Sequence, residues 1–313
     1  MEKLLQGLRA VAEPTRLRII ALCGHAELSV NELATILGQS QPRVSRHLKL
    51  LVDGGLLQRN KEGSRAYYRL SSDPDGARLG QVLNDLIPIE DNILTLDLSR
   101  LTDIKVERAR YAESYSDRYL EEIQELRNMW ATDESVDKYI VQAVKSKPVK
   151  ALLDIGTGSG RLLRLLAPWV TEAIGIDNSR DMLSIARARL DQEGLRNCQV
   201  RIGDMYRLSF SPNFFDMVTM NSLLRYAEKP KNVLAEAARV LKPGGQILII
   251  DFTAHELSEL REEYGHRWLG FSELEMEELI LAEELTMIRS DLIKGNTLTV
   301  CVWLAEKQAI ASP

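Results

Sequence analysis

The chain has 313 residues, 45% of them hydrophobic and 27% charged, with a net charge of −5. That length suggests about two domains with ordinary buried cores, and no apolar run approaches the roughly 18 residues of a membrane span. The opening stretch MEKLLQGLRAVAEPTRLR breaks its apolar run with charge and Pro14 too early for a secretory signal, so a cytoplasmic protein is expected. Cys23, Cys198 and Cys301 lie far apart in apolar contexts, which predicts buried free thiols and neither a disulfide framework nor a paired-cysteine metal site. The charge is divided unevenly. Residues 1–72 hold eleven Lys/Arg against six Asp/Glu, a balance of +5, and the remainder holds 29 against 39, a balance of −10. The N-terminal end is the one suited to a polyanion.

PTRLRIIALCG, residues 14–24, reads as a helix with Pro in its first turn and Gly24 as a stop. LSVNELATILG predicts a second helix, capped by Ser29 with Glu32 completing a capping box and Gly38 at its end. QSQPRVSRHLKLLVDGG predicts a third, with Ser40 as cap and Pro42 in the first turn. On a helical wheel Val44, His47, Leu48 and Leu51 share one face, leaving Ser40, Gln41, Arg43, Ser45, Arg46 and Lys49 for a major groove. The following LLQRNKEGSRAYYRL alternates apolar and polar residues about a turn at residues 61–64, which predicts a hairpin with Arg59, Lys61 and Arg65 near its tip.

Residues 10–70, through AEPTRLRII, ELSVNELA, SQPRVSRHLKLL, GLLQR and GSRAYYRL, resemble the ArsR family of winged-helix repressors. The resemblance implies double-stranded operator DNA as partner, a recognition helix over residues 40–52, and a homodimer joined by a helix outside the motif. It also carries a departure. At the two cysteine positions of the family's thiolate box this chain has Ser29 and Asn31, and no His lies between His47 and His255, so no metal is expected.

Residues 76–145 form the expected connector, rich in Leu, Ile, Glu and Arg at helical spacing. One helix is predicted after the wing for dimer contact, a long one from about Leu101 to Trp130, and one from about Ser135 to Lys145. Tyr111, Tyr115, Tyr119 and Trp130 are candidates to cover a ligand pocket or simply to pack.

From residue 146 to 308 strands and helices alternate, the rhythm of a doubly wound α/β sheet whose ligands sit at the carboxyl ends of its strands. LLDIGTGSGRLLRLL reads as strand, glycine loop and helix, with Asp154 ahead of Gly156, Gly158 and Gly160, an arrangement expected to present backbone N–H groups to a small ligand. Asp177 is placed at the end of the second strand to accept the hydroxyls of a ribose. Asp204 at the end of the third is placed to accept from an adenine amino group, with Met205 covering the ring, and Asn221 ends the fourth.

LLDIGTGSG, AIGIDNSRDML, GDMYRL, FDMVTMNSLLRYAEKP and EAARVLKPGGQILIIDF resemble the class I S-adenosylmethionine-dependent methyltransferases, nearest to the ubiquinone/menaquinone biosynthesis group. The resemblance implies a Rossmann-like domain that takes S-adenosylmethionine or S-adenosylhomocysteine. Gly156 and Gly158 would hold the methionine end, Asp177 with Asn178 beside it the ribose, and Asp204 the adenine. Taken whole, with a winged helix-turn-helix domain at residues 1–75, the chain resembles fusions of an ArsR-type domain with a methyltransferase domain.

Two functions stay open on the sequence. One is a transcriptional regulator whose methyltransferase-like domain senses the methyl-donor pool. The other is a working small-molecule methyltransferase with an appended DNA-binding domain. If the transfer uses a base, His255 is the candidate, with Tyr226, Arg261 and His266 shaping an acceptor pocket; the alternatives are that His255 caps a helix and that His266 packs against Trp268.

Overall fold

The computed structural model describes residues 1–62, 65–88, 91–129 and 133–308, with the backbone alone for residues 115–128. It divides into two compact units, residues 1–111 and 112–313.

The first unit begins with α1 (Glu2–Val11) and α2 (Pro14–His25), followed by β1 (Leu28–Ser29), α3 (Val30–Leu37) and α4 (Gln41–Asp53). Then come β2 (Leu57–Glu62), β3 (Arg65–Leu70), α5 (Pro74–Leu86) and α6 (Asn92–Met129), which crosses the boundary between the units. The capping box is formed: the Glu32 N–H donates to Ser29 Oγ at 3.3 Å, and the Ser29 N–H donates to Glu32 Oε2 at 2.7 Å. Gly38 ends α3 in the left-handed region at φ 64° and turns the chain into α4. Ser40 holds the N-cap position of α4 but makes no side-chain capping bond, and Pro42, the second helical residue, has no N–H to offer it. Ile19, Ile20, Leu22, Leu33, Ile36, Val44, Leu48 and Leu51 fill the core of the unit.

The hairpin is longer than its sequence suggests. Lys61 lies inside β2, paired with Ala66, and Glu62 pairs with Arg65, so the strands run on up to residues 63–64, which lie outside the described residues. β1 adds to β3 antiparallel to complete a small sheet.

α6 starts well before Leu101. Its start is fixed by Asp91, whose Oδ1 accepts the N–H groups of Ile93 and Leu94, a cap that the spacing of apolar residues does not reveal. One face of its first turns clamps α2 and α3. Arg18 donates through Nε and Nη2 to Asp97 at 2.5 and 2.7 Å, Arg100 donates to the Ile36 carbonyl, and Lys105 to the His25 carbonyl. Arg108 donates to Glu32 Oε1 at 2.9 Å and to the Glu27 carbonyl at 3.0 Å. The proposed cover residues Tyr115, Tyr119 and Trp130 have side chains outside those described, and Tyr111 is exposed.

The second unit contains α7 (Asp133–Lys145), β4 (Val149–Ile155), α8 (Arg161–Leu166), β5 (Val170–Asp177) and α9 (Arg180–Gln192). It continues with β6 (Cys198–Ile202), β7 (Phe215–Asn221), α10 (Pro230–Val240), β8 (Leu241–Phe252), α11 (Glu259–Tyr264), α12 (Glu273–Leu281), β9 (Leu285–Lys294) and β10 (Thr299–Lys307). These strands form one sheet in the order β6-β5-β4-β7-β8-β10-β9, parallel from β6 to β8, with β10 antiparallel between β8 and β9. Helices cover both faces, which is why the central strands carry apolar runs without alternation, as in Ile247 to Ile250. Rossmann-like topology and a winged helix-turn-helix are thus both present. The three cysteines are buried and none forms a disulfide.

Candidate cofactor site and nucleic-acid interface

The glycine loop closes on its own sheet. The N–H groups of Gly156 and Thr157 both donate to the Ile176 carbonyl at 2.9 Å, the Gly158 N–H donates to Asp177 Oδ2 at 2.9 Å, and the Gly160 N–H to the Thr157 carbonyl. The glycine loop is expected from sequence to offer backbone N–H groups to a ligand; those of Gly156, Thr157, Gly158 and Gly160 are engaged by β5 and by the loop itself. What the glycines supply is backbone shape. Gly156 has φ 72°, and a Cβ there would stand 2.6 Å from Leu223 Cδ1, whereas Gly158, at φ 54°, would meet nothing within 4 Å. Gly158 thus borders open space beside the Asp177 carboxylate.

Asp177, half-buried at the end of β5, also accepts the Ser179 N–H at 2.8 Å, and Asn178 beside it is exposed. Two backbone donors hold the carboxylate while leaving acceptor capacity for hydroxyls. Asp204 stands two residues beyond the end of β6, exposed, its Oδ1 accepting the Tyr206 N–H at 2.9 Å, with Met205 partly buried against the core. Asn221 closes β7 and is half-buried. Asp154 lies deeper, 2% exposed, accepting from the Thr219 hydroxyl at 2.7 Å. Burial pushes its carboxyl up to about 6 against the pull of the Thr157 and Thr219 hydroxyls, so Asp154 holds β4 to β7 beneath the loop.

Past β7 the chain turns at Ser222, a non-glycine residue at φ 56°, into a short 3-10 turn over Leu224–Tyr226. Arg225 is buried there, its Nε 3.1 Å from Asp251 Oδ1 and its guanidinium carbon 3.9 Å from the centre of the Phe252 ring. Asp251 also accepts the N–H groups of Arg225 and Phe252. The segment 253–271 is pinned over this turn: the N–H groups of Arg267 and Trp268 donate to the Arg225 carbonyl, and the Trp268 indole donates to the Ala227 carbonyl at 2.8 Å. It carries both histidines. His255 packs on Phe252 with ring centres 5.9 Å apart, and its Nδ1 accepts the Leu257 N–H at 3.2 Å. His266 is 2% exposed and meets Tyr226 edge-on at 5.1 Å and Phe252 at 6.2 Å. Trp268 stacks on Phe271, not on His266. Arg261 is exposed on α11.

Burial and the Arg225 charge push His266 down to about 4 and hold His255 below its ordinary value. The sequence reading missed the Arg225–Asp251 pair. An acid inside ILIIDF was the available signal, since a carboxylate in an otherwise apolar strand requires a buried partner.

In the first unit, Gln41, Arg43, Ser45, Arg46 and Lys49 are exposed on α4, and Ser40 is exposed at its cap. Val44, Leu48 and Leu51 are buried, and His47 sits 3.5 Å from Glu13. Arg59, Lys61 and Arg65 are exposed on the hairpin.

Comparison with known proteins agrees with both halves. A helix-turn-helix domain family matches residues 11–59, and a methyltransferase domain family matches residues 146–290. One half of the chain is thus similar to helix-turn-helix domains and the other to methyltransferase domains. It is 28% identical over 127 residues to the methyltransferase YcgJ of Bacillus subtilis, covering 41% of this chain and 50% of that protein. It is 32% identical over 139 residues to the ubiquinone/menaquinone biosynthesis C-methyltransferase of Legionella pneumophila strain Lens, covering 43% of this chain and 55% of that protein. The chain thus spans about half the length of these curated relatives. Among solved structures, one Bacillus halodurans C-125 protein assigned as a methyltransferase aligns with TM-score 0.51 at 19% identity, over 56% of this chain and all of that one. The [4+2]-cyclase SpnF aligns with TM-score 0.51 at 16% identity, over 62% of this chain and 95% of that one. These likenesses show the fold; the cyclase demonstrates that the fold alone does not fix the reaction.

Proposed function

We propose that the protein is an S-adenosylmethionine-dependent methyltransferase of a small molecule, carried on the same chain as an ArsR-type DNA-binding domain. The observation that carries this reading is the presence, at and just past the carboxyl ends of the parallel strands, of two sets of groups. One is the glycine loop with Asp177, suited to the methyl donor; the other is the buried Arg225–Asp251 pair with His255 and His266, suited to an acceptor. Asp177 would take the ribose hydroxyls, Asp204 the adenine amino group with Met205 against the ring, and Gly158 would leave room for the methionine end. The sulfonium supplies an activated methyl group, so the protein's share is positioning, exclusion of water and acceptance of a proton. His255, Tyr226 and His266 would line the acceptor side. A substrate on nucleic acid is disfavoured by the −10 balance after residue 72.

A second, compatible reading is a regulator in which cofactor state alters operator affinity. It is favoured by α6, whose first turns clamp α2 and α3 through Asp97, Arg100, Lys105 and Arg108 and which continues unbroken to Met129. Exposed Leu4, Leu5 and Leu8 on α1, with Val82 and Leu86 on α5, support a homodimer through the first unit. The test is formation of S-adenosylhomocysteine from S-adenosylmethionine in the presence of a panel of small acceptors. Turnover dependent on both an acceptor and Asp177 supports the enzyme; cofactor binding with no turnover on any acceptor, together with a shift in duplex affinity, leaves the regulator alone.

A further inference from the structure

His255 and His266 flank the same Phe252 ring, yet their nitrogens are not equivalent. His255 Nδ1 accepts the Leu257 N–H, so its lone pair there is spent, and the neutral ring must carry its hydrogen on Nε2. That Nε2 is buried and meets no hydrogen-bond partner. His255 therefore presents a donor to the site and has no lone pair to act as a base. His266 differs. It is 2% exposed, and neither Nδ1 nor Nε2 meets a partner among the described residues, so the neutral ring offers one donor and one acceptor. Leaving such groups buried without partners costs on the order of 1–3 kcal/mol each, a cost that a bound polar molecule removes.

The charges around the pair are matched. Arg225 faces Asp251, Tyr226 meets His266 edge-on, and the Arg225 and His255 charges both act on His266. A carboxylate entering here would find the Arg225 charge already matched by Asp251, and a cationic acceptor would find the Asp251 charge already matched by Arg225. The aromatic surroundings, Tyr226, Phe252, Trp268 and Phe271, suit a planar neutral molecule.

We propose that His266, not His255, takes the proton from the methyl acceptor, that His255 donates to the acceptor through Nε2–H, and that the acceptor is a neutral molecule bearing its proton on the attacking heteroatom. This rests on the methyltransferase reading above. In the step, a lone pair of the acceptor oxygen or nitrogen forms the bond to the sulfonium methyl carbon. The carbon–sulfur bond breaks with its pair going to sulfur, leaving the thioether S-adenosylhomocysteine. The heteroatom proton passes to His266, and the imidazolium returns it to water. Burial keeps the His266 ring neutral near pH 7, so one of its nitrogens carries a free lone pair there.

The test is NMR of the full chain labelled with 15N-histidine, which has only four histidines to assign. It is saturated with S-adenosylhomocysteine and titrated separately with phenol, benzoate and benzylammonium. The proposal predicts that phenol shifts the His266 resonances saturably, that His255 stays in its Nε2–H tautomer, and that the two charged probes bind at least fivefold more weakly. His266→Gln should weaken phenol at least fivefold while changing S-adenosylhomocysteine affinity less than twofold. A His266 signal indifferent to phenol, a His255 with its hydrogen on Nδ1, or benzoate binding as well as phenol would each overturn it. Failure of S-adenosylhomocysteine to bind sinks the methyltransferase reading and this assignment with it; binding beside a silent His266 sinks the assignment alone.

Discussion

The Gly158 N–H donates to the Asp177 carboxylate at 2.9 Å, joining the glycine loop after β4 to the acid that ends β5. The bond orients the carboxylate across the mouth of the loop, and Gly158, at φ 54°, leaves that mouth open. Gly158→Val places a branched side chain in the opening and a β-branched residue in the left-handed region, where even unbranched residues pay about 1–2 kcal/mol. The expected result is loss of S-adenosylmethionine binding of tenfold or more, against a stability loss of only that size by urea denaturation. Binding unaffected by the valine would move the cofactor away from the loop.

The Arg18–Asp97 pair is a second checkable element. Asp97 is fully buried and Arg18 only 21% exposed, and removing one partner of such a pair leaves a charge without compensation, at a cost of about 3 kcal/mol. Urea denaturation of Asp97→Ala should show that loss, and the double variant with Arg18→Ala should lose less than the sum of the two singles. Additive losses would mean that the two side chains do not act as a pair.

Acid should weaken the fold through His266. Its pKa is about 4 in the folded chain, set first by burial and then by Arg225 and His255, against an ordinary 6.5 when unfolded. Between those values the unfolded chain binds more protons, so stability falls as pH falls, by about 2 kcal/mol between pH 7 and pH 5 for this group. Asp154, with its carboxyl raised to about 6, acts in the opposite sense over the same range, so the informative quantity is the difference between wild type and His266→Gln. Wild type should lose about 2 kcal/mol more than the variant over that interval; equal losses would contradict a buried neutral His266.

On the DNA side, Arg46→Ala should weaken duplex binding and lower the dependence of log affinity on log salt by about one ion. Fluorescence anisotropy across a salt series reads both quantities. An unchanged slope and affinity would remove the exposed face of α4 from the interface.

Most of the fold was legible because its signals are local. The capping box of Ser29 and Glu32, the left-handed Gly38, and the apolar strands separated by helices each follow from short stretches of sequence. The start of α6 was not, because its cap, Asp91, follows another acid in EDN and no break in the apolar spacing marks it. In the site, Asp177, Asn221 and the glycines are placed by strand ends that sequence can locate. The loop N–H groups are expected to face outward because sequence does not show that Ile176 presents its carbonyl to those of Gly156 and Thr157. Arg225, Asp251 and His266 come together only through the fold of residues 253–271 back onto the turn after β7, a long-range contact with no periodic trace.

The central claim is that the loop and Asp177 hold the methyl donor. Calorimetric titration of the full chain with S-adenosylmethionine, set against Asp177→Ala, tests it most directly. The account predicts saturable binding at one site per chain, weakened at least tenfold in the variant, about 1.4 kcal/mol or more, as expected for lost hydrogen bonds to a carboxylate. Binding equally tight in both proteins, or absent from the wild type, would contradict it.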